Sequence, residues 1–168
     1  MKALKLAATA LLVAGCSTAA NGSAEDADGI ASSQEDTRIS LQRLPCFGTC
    51  PVYTVVITGD GTVTFTGQQH VQTMGTATAR IEPSAVAALV KELEDGGFFT
   101  FADRYEMDAP ACGSYHTDAP RANTTVTTTA RTKTILHDFG CGGAPTALRG
   151  LEDAIDRVAG TARWIGTP

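Results

Sequence analysis

Pro51-Val-Tyr-Thr-Val-Val-Ile-Thr58, Gly59-Asp60-Gly61 and Thr62-Val-Thr-Phe-Thr66 run on without a break, and this stretch decides the fold. Two segments rich in β-branched and aromatic residues flank a three-residue loop, which is the pattern of an antiparallel hairpin. Closing the loop on residues 59–61 pairs Thr58 with Thr62 and Ile57 with Val63. One face of the hairpin then carries Tyr53, Val55, Ile57, Val63 and Phe65. The other carries Thr54, Val56, Thr58, Thr62, Thr64 and Thr66. A slip of one residue would bury a row of threonines, so the apolar face selects this register. Gly61 takes the left-handed position that a loop of this length demands.

Working outward, Ile39-Ser-Leu-Gln-Arg-Leu44 alternates and predicts a short strand ahead of the hairpin. Behind it, Pro83 to Glu94 predicts a helix. Proline suits its first turn, Val86, Leu89, Val90 and Leu93 recur at helical spacing, and Gly96 or Gly97 stops it. Phe98, Phe99 and Phe101 are expected to plug the edge of the core. Residues 102–122, rich in Asp, Ala and Pro, read as a long irregular loop. Asn123 to Thr129 and Arg131 to Phe139 suggest a second hairpin with Val126, Ile135 and Phe139 inward. Pro145 to Ala159 predicts a second helix with Leu148, Leu151, Ile155 and Val158 on one stripe and Gly160 as the stop. Both helices space proline and apolar residues alike (Pro83/Val86/Leu89 and Pro145/Leu148/Leu151). The expected class is therefore α+β: an antiparallel sheet built from two ββα-like units, with two helices packed on one face.

The N-terminus sets the surroundings. Lys2 and Lys5 precede a short apolar run, Leu6 to Ala14, that is too brief to span a bilayer and has the form of an export signal. Its end, Leu12-Val-Ala-Gly-Cys16, resembles the bacterial lipobox. That resemblance implies cleavage before Cys16, diacylglycerol on its sulfur and usually an acyl chain such as palmitate on the new amine. Two or more chains suffice for a stable membrane anchor. Ser17, in place of Asp, implies the outer membrane. Removing Lys2 and Lys5 with the leader shifts the formal charge from −5 to −7. Residues 16–37 hold Glu25, Asp26, Asp28, Glu35 and Asp36, no basic residue and almost no apolar side chain, so they cannot form a core. They read as a disordered acidic tether reaching about 25 Å. The expected organisation is signal peptide 1–15, tether 16–37 and a single α+β domain 38–168. The lipid bilayer is the expected partner of Cys16, and the expected location is the cell envelope, at the outer membrane facing the periplasm.

The run Leu44-Pro-Cys-Phe-Gly-Thr-Cys-Pro-Val-Tyr-Thr-Val-Val-Ile-Thr-Gly-Asp-Gly-Thr-Val, with Phe98-Phe99 and the late helix ending Ala159-Gly160-Thr161, resembles the bacterial family catalogued as domain of unknown function 6438. The resemblance covers roughly residues 38 to 165 and implies no established activity. The second hairpin departs from the family pattern around Thr129-Ala130, where an Asp-Gly turn is expected.

Four cysteines remain after processing: Cys46, Cys50, Cys112 and Cys141. An even number in an exported protein reads as a disulfide framework with three possible connectivities. Cys46 and Cys50 can meet if the chain turns at Gly48, which leaves Cys112 for Cys141; the cross pairings stay open. An alternative reading takes Cys46/Cys50 as a periplasmic thiol-redox or copper-binding pair, because Cys-x-x-x-Cys-Pro with a distant histidine is similar to copper chaperones of thioredoxin-like fold. Reactive thiols, however, usually open a helix, and this motif opens a strand. His70, His116 and His137 do not cluster in sequence and read as surface or interface residues. Glu92, Glu94 and Asp95 read as a solvated helix face. Asp103, Glu106, Asp108 and Asp118 could supply a carboxylate pair. No phosphate-binding loop, nucleophile elbow, zinc-protease or dinucleotide motif occurs, so no catalytic, cofactor-binding or metal residue is assigned and no cofactor is expected. The acidic balance argues against a nucleic-acid partner, which would call for a basic face. The expected function is a non-enzymatic binding or interaction module whose partner is an envelope protein or glycan.

Overall fold

The structure, a computed structural model, describes residues 36–166. The expected signal peptide, Cys16 and nearly all of the expected tether lie outside the described residues. The elements follow in the order β1 (Arg38–Leu44), β2 (Val52–Thr58), β3 (Thr62–Gln69), β4 (Gly75–Arg80), α1 (Pro83–Asp95), a 3-10 turn (Phe98–Thr100), β5 (Arg104–Tyr105), a second 3-10 turn (Pro110–Cys112), β6 (Arg121–Thr127), β7 (Thr132–Asp138), α2 (Thr146–Ala159) and α3 (Ala162–Ile165). The seven strands form one sheet in the order β4-β3-β2-β1-β6-β7-β5. Every pairing is antiparallel except the short parallel one between β5 and β7.

The first hairpin has the register that its alternation demands: Ile57 faces Val63 and Val55 faces Phe65. Gly61 is left-handed at φ +84°, and a Cβ there would collide with the Ile81 carbonyl oxygen. Asp60 caps the loop. It accepts from the Thr62 backbone N–H at 3.0 Å and the Thr62 hydroxyl at 2.7 Å, and the Thr58 hydroxyl also bonds it. These hydroxyl bonds hold its carboxyl below the usual carboxylate range.

Ile39, Leu41, Val55, Ile57, Val63 and Phe65 are completely buried beneath Val86, Leu89 and Leu93 of α1 and Leu148, Leu151 and Ile155 of α2, in a single core. Both long helices therefore cover one face of the sheet. Pro145 precedes α2, and Gly160, left-handed at φ +67°, ends it. Phe98 plugs the core edge as expected. The short helix α3 extends this layer by stacking Trp164 on Phe65, ring centroids 5.0 Å apart.

Two features differ from the sequence expectation. Residues 75–80 form a full edge strand, β4, whose Thr-Ala alternation carries no large apolar residue to announce it. The stretch 102–122 is not wholly irregular: β5 adds to the sheet at its far edge, and β6 already begins at Arg121. The segment ahead of α1 is thus a four-stranded meander, whereas α2 follows a hairpin flanked by a parallel strand.

The second face of the sheet is open. Thr54, Val56, Thr58, Thr62, Thr64 and Thr66 are half-buried there, and further along it Thr125 and Thr134 share a hydroxyl contact of 2.9 Å. This contrast predicts unequal tolerance. Val55→Ala empties part of a completely buried site and is expected to cost about 2 kcal/mol. Thr64→Ala on the open face is expected to stay within about 0.5 kcal/mol. Thermal melts of the two variants decide the matter, and equal losses would mean that the threonine face carries load in the isolated domain.

Candidate functional site

At one end of the sheet, the end of β1 and the starts of β2 and β6 meet the flank of α2. They enclose an open cleft of about 270 Å³. Local sequence explains how its side chains arrive. Arg43 continues the inward alternation of Ile39 and Leu41, so β1 aims its guanidinium under the helix layer. Arg149, Asp153 and Asp156 recur at i, i+4 and i+7 on α2 and line the cleft as one stripe, next to the apolar stripe of Leu148, Leu151 and Ile155. Tyr53 and Phe139 supply aromatic walls, while Cys50, Pro51 and Pro120 form its rim.

Arg43 is the hub. Its Nε donates to Asp156 Oδ2 at 3.0 Å, and its Nη2 donates to Asp156 Oδ2 and to Asp153 Oδ1, both at 2.8 Å. The second Asp156 oxygen accepts from the Tyr53 hydroxyl at 2.8 Å and the Thr161 hydroxyl at 3.0 Å. Burial opposes the Arg43 charge, but Asp156, Tyr53 and Glu152 outweigh it, and the guanidinium is held more firmly protonated than usual. Burial and then the Asp156 carboxylate push the Tyr53 phenol well above the ordinary tyrosine range, so it serves as a hydrogen-bond donor.

Behind Arg43 lies Glu152, completely buried on α2. Its Oε1 is 3.0 Å from His137 Nδ1, and its Oε2 has no hydrogen-bond partner among the described residues; Arg43 Nη1 stands 3.5 Å away. His137 is only 5% exposed, which corrects its expected place at the surface. It alternates with Ile135 on the inward face of β7, and its ring lies between Phe139, 4.5 Å away, and Tyr105, 6.2 Å away. His70 and His116 are exposed, as expected. His70 Nδ1 lies 3.1 Å from the Cys50 carbonyl oxygen, beside the rim of the cleft.

Cys46 is bonded to Cys50 with Cα atoms 5.8 Å apart, and Cys112 to Cys141 with Cα atoms 4.6 Å apart. The first bridge closes the β1–β2 loop and leaves Phe47 projecting at its tip, 88% exposed. The second joins the 102–122 stretch to the end of β7. The loop carboxylates do not form a pair: Arg104 takes Glu106 and Asp108, Lys133 takes Asp103, and Asp118 accepts from Thr117. Glu92, Glu94 and Asp95 lie on the solvated face of α1, each with a cation partner. Among the described residues, no group of three or more His, Cys, Asp or Glu is arranged to hold a metal ion, and no helix is long and apolar enough to cross a membrane.

Sequence alone does not assemble the Arg43–Asp156–Glu152–His137 cluster, although two signals point to it. Arg43 occupies an inward position directly after two core residues. Glu152 follows Leu148 by four residues on the core stripe of α2. The curated proteins contain no match to the chain. A family model described as a domain of unknown function, DUF6438, matches residues 37–159, from the start of β1 to the end of α2, and the chain belongs to that family.

Proposed function

We propose that the chain is a bacterial lipoprotein, anchored through acylated Cys16 to the outer membrane and facing the periplasm, whose domain is a non-enzymatic recognition module for an envelope protein or glycan. The leader, the lipobox-like Leu12–Cys16 and the acidic residues 16–37 support the anchoring. Topology supports the orientation of the module. The tether enters at Thr37, and β1 carries the chain about 23 Å to the cleft at its other end. The cleft thus opens at the end of the domain opposite the tether's attachment. We read the two helix-terminated halves, each with a proline at the start of its helix, as variants of one ββα unit to which β4 and β5 have been added.

One observation carries the recognition reading. The cleft's carboxylates are already committed to Arg43, its cysteine is oxidised, and yet an aromatic side chain, Phe47, projects from a disulfide-clamped loop at the rim. Such a surface has little left for proton transfer or nucleophilic attack and much for contact. A photo-crosslinking amino acid in place of Phe47 tests it in cells. A single envelope component is expected to be captured, and capture is expected to fall when Arg149→Ala is added. An adduct that forms only when the protein is overproduced, or one indifferent to Arg149, would reject the reading. Labelled palmitate is expected to enter the parent and not Cys16→Ala.

The thiol-redox or copper reading of Cys46/Cys50 stands second. The nearness of His70 to Cys50 favours it. It requires the bridge to open, and the motif leads into a strand rather than a helix N-terminus that would activate a thiolate. It predicts that the reduced protein binds one Cu(I) and that His70→Ala abolishes binding.

A further inference from the structure

The cleft is lined by three arginines and two aspartates, and the surplus of positive charge indicates what it takes. Arg43 engages both of its acids: Asp156 is held at both oxygens, with the Tyr53 and Thr161 hydroxyls on the second, and Asp153 gives one oxygen to Arg43. Arg121 and Arg149 line the same cleft. The side chain of neither makes a hydrogen bond or ion pair with another described residue. Arg149 could have reached Asp153 one helical turn away. Instead its guanidinium lies over the Phe139 ring, 4.8 Å from the centroid. A stacked guanidinium is held in place by the ring face while its N–H fork stays free at the edge.

We propose that the cleft binds an organic monocarboxylate with an apolar body, the carboxylate held by Arg121 and Arg149 and the body resting against the apolar lining of Leu44, Pro120 and Ile165. This assignment rests on the recognition reading above and names its ligand chemistry. Planar, bidentate capture is the interaction that arginine forks make best with a carboxylate. A phosphate monoester, carrying nearly two charges, is disfavoured because Asp153 lines the same cleft and gives only one of its oxygens to Arg43. The volume of about 270 Å³ admits a body of roughly dipeptide size or smaller. The rim is preformed by the Cys46–Cys50 bridge, Pro51 and Pro120, so little ordering is needed on binding.

Calorimetric titration of the folded domain with benzoate, benzyl alcohol and phenyl phosphate tests the assignment. Benzoate is expected to bind at least about tenfold more tightly than either of the others. Arg121→Gln and Arg149→Met, both at exposed positions, are each expected to weaken benzoate about tenfold or more while melting like the parent. Arg149→Lys, which keeps the charge and loses the fork, is expected to fall between the parent and Arg149→Met. Equal binding of benzyl alcohol, tighter binding of phenyl phosphate, or benzoate affinity indifferent to both arginines would overturn the proposal. So would failure of benzoate to bind while the Phe47 adduct persists in cells; that outcome would refute the carboxylate and leave the recognition reading standing.

Discussion

Arg43→Met is expected to destabilise the domain by about 3–5 kcal/mol, because it removes a guanidinium that faces a buried carboxylate. Glu152 is completely enclosed, its Oε2 has no hydrogen bond among the described residues, and Arg43 Nη1 at 3.5 Å is the counter-charge on that side. The same substitution strips Asp156 of two hydrogen bonds and leaves it only the Tyr53 and Thr161 hydroxyls. Methionine fills a similar volume, so the loss measures charge rather than cavity. Urea unfolding should show a lower midpoint with an unchanged slope. A second variant separates the causes. Arg43→Met combined with Glu152→Met removes both members of the pair, and buried ion pairs replaced by apolar residues often cost little. The double variant is therefore expected to recover part of the loss. A single variant within about 1 kcal/mol of the parent would show that Glu152 does not depend on Arg43.

The same cluster marks where sequence reading stops. The first hairpin was legible down to its register because everything that fixes it is local: a Gly-Asp-Gly loop, strict alternation, and a threonine row that has no reason to be buried. The two long helices were legible from apolar spacing and their proline and glycine ends. Strand β4 was not, since Thr-Ala alternation lacks the large residues that create a hydrophobic period. The central place of β1 between β2 and β6 leaves no local trace, because the partner strand lies about 80 residues away in the chain. Burial of Arg43, His137 and Glu152 is likewise decided by partners that only the fold supplies. Charged residues are almost never fully buried unless paired, and the pairing here joins β1, β7 and α2. The cysteines lay between these cases: their number was informative, and Gly48 admitted the short bridge, but the choice of partners was not forced.

Removing the Cys112–Cys141 bridge, as Cys112→Ala with Cys141→Ala, is expected to cost roughly 3.5 kcal/mol, against roughly 2 kcal/mol for the Cys46–Cys50 bridge. The difference follows from the chain each bridge closes. Cys112 and Cys141 are 29 residues apart and enclose the whole β6–β7 hairpin, whereas Cys46 and Cys50 are 4 apart. Packing adds to the larger loss: Cys112 and Cys141 are 1% and 4% exposed within the core cluster, so alanine leaves a small cavity. The backbone around the bridge limits how far the damage spreads. The Gly143 N–H donates to the Cys112 carbonyl at 2.7 Å, Gly142 to Ser114 at 2.8 Å and His116 to Gly140 at 3.1 Å, so the two segments remain laced without the sulfurs. Both variants should therefore fold, and urea unfolding can rank them. Reduction of the parent should follow accessibility, with the half-buried Cys46–Cys50 bridge opening at lower dithiothreitol than the enclosed one. Equal losses for the two double variants would mean that loop-closure entropy does not govern these bridges, and that local strain in the folded state sets their worth instead.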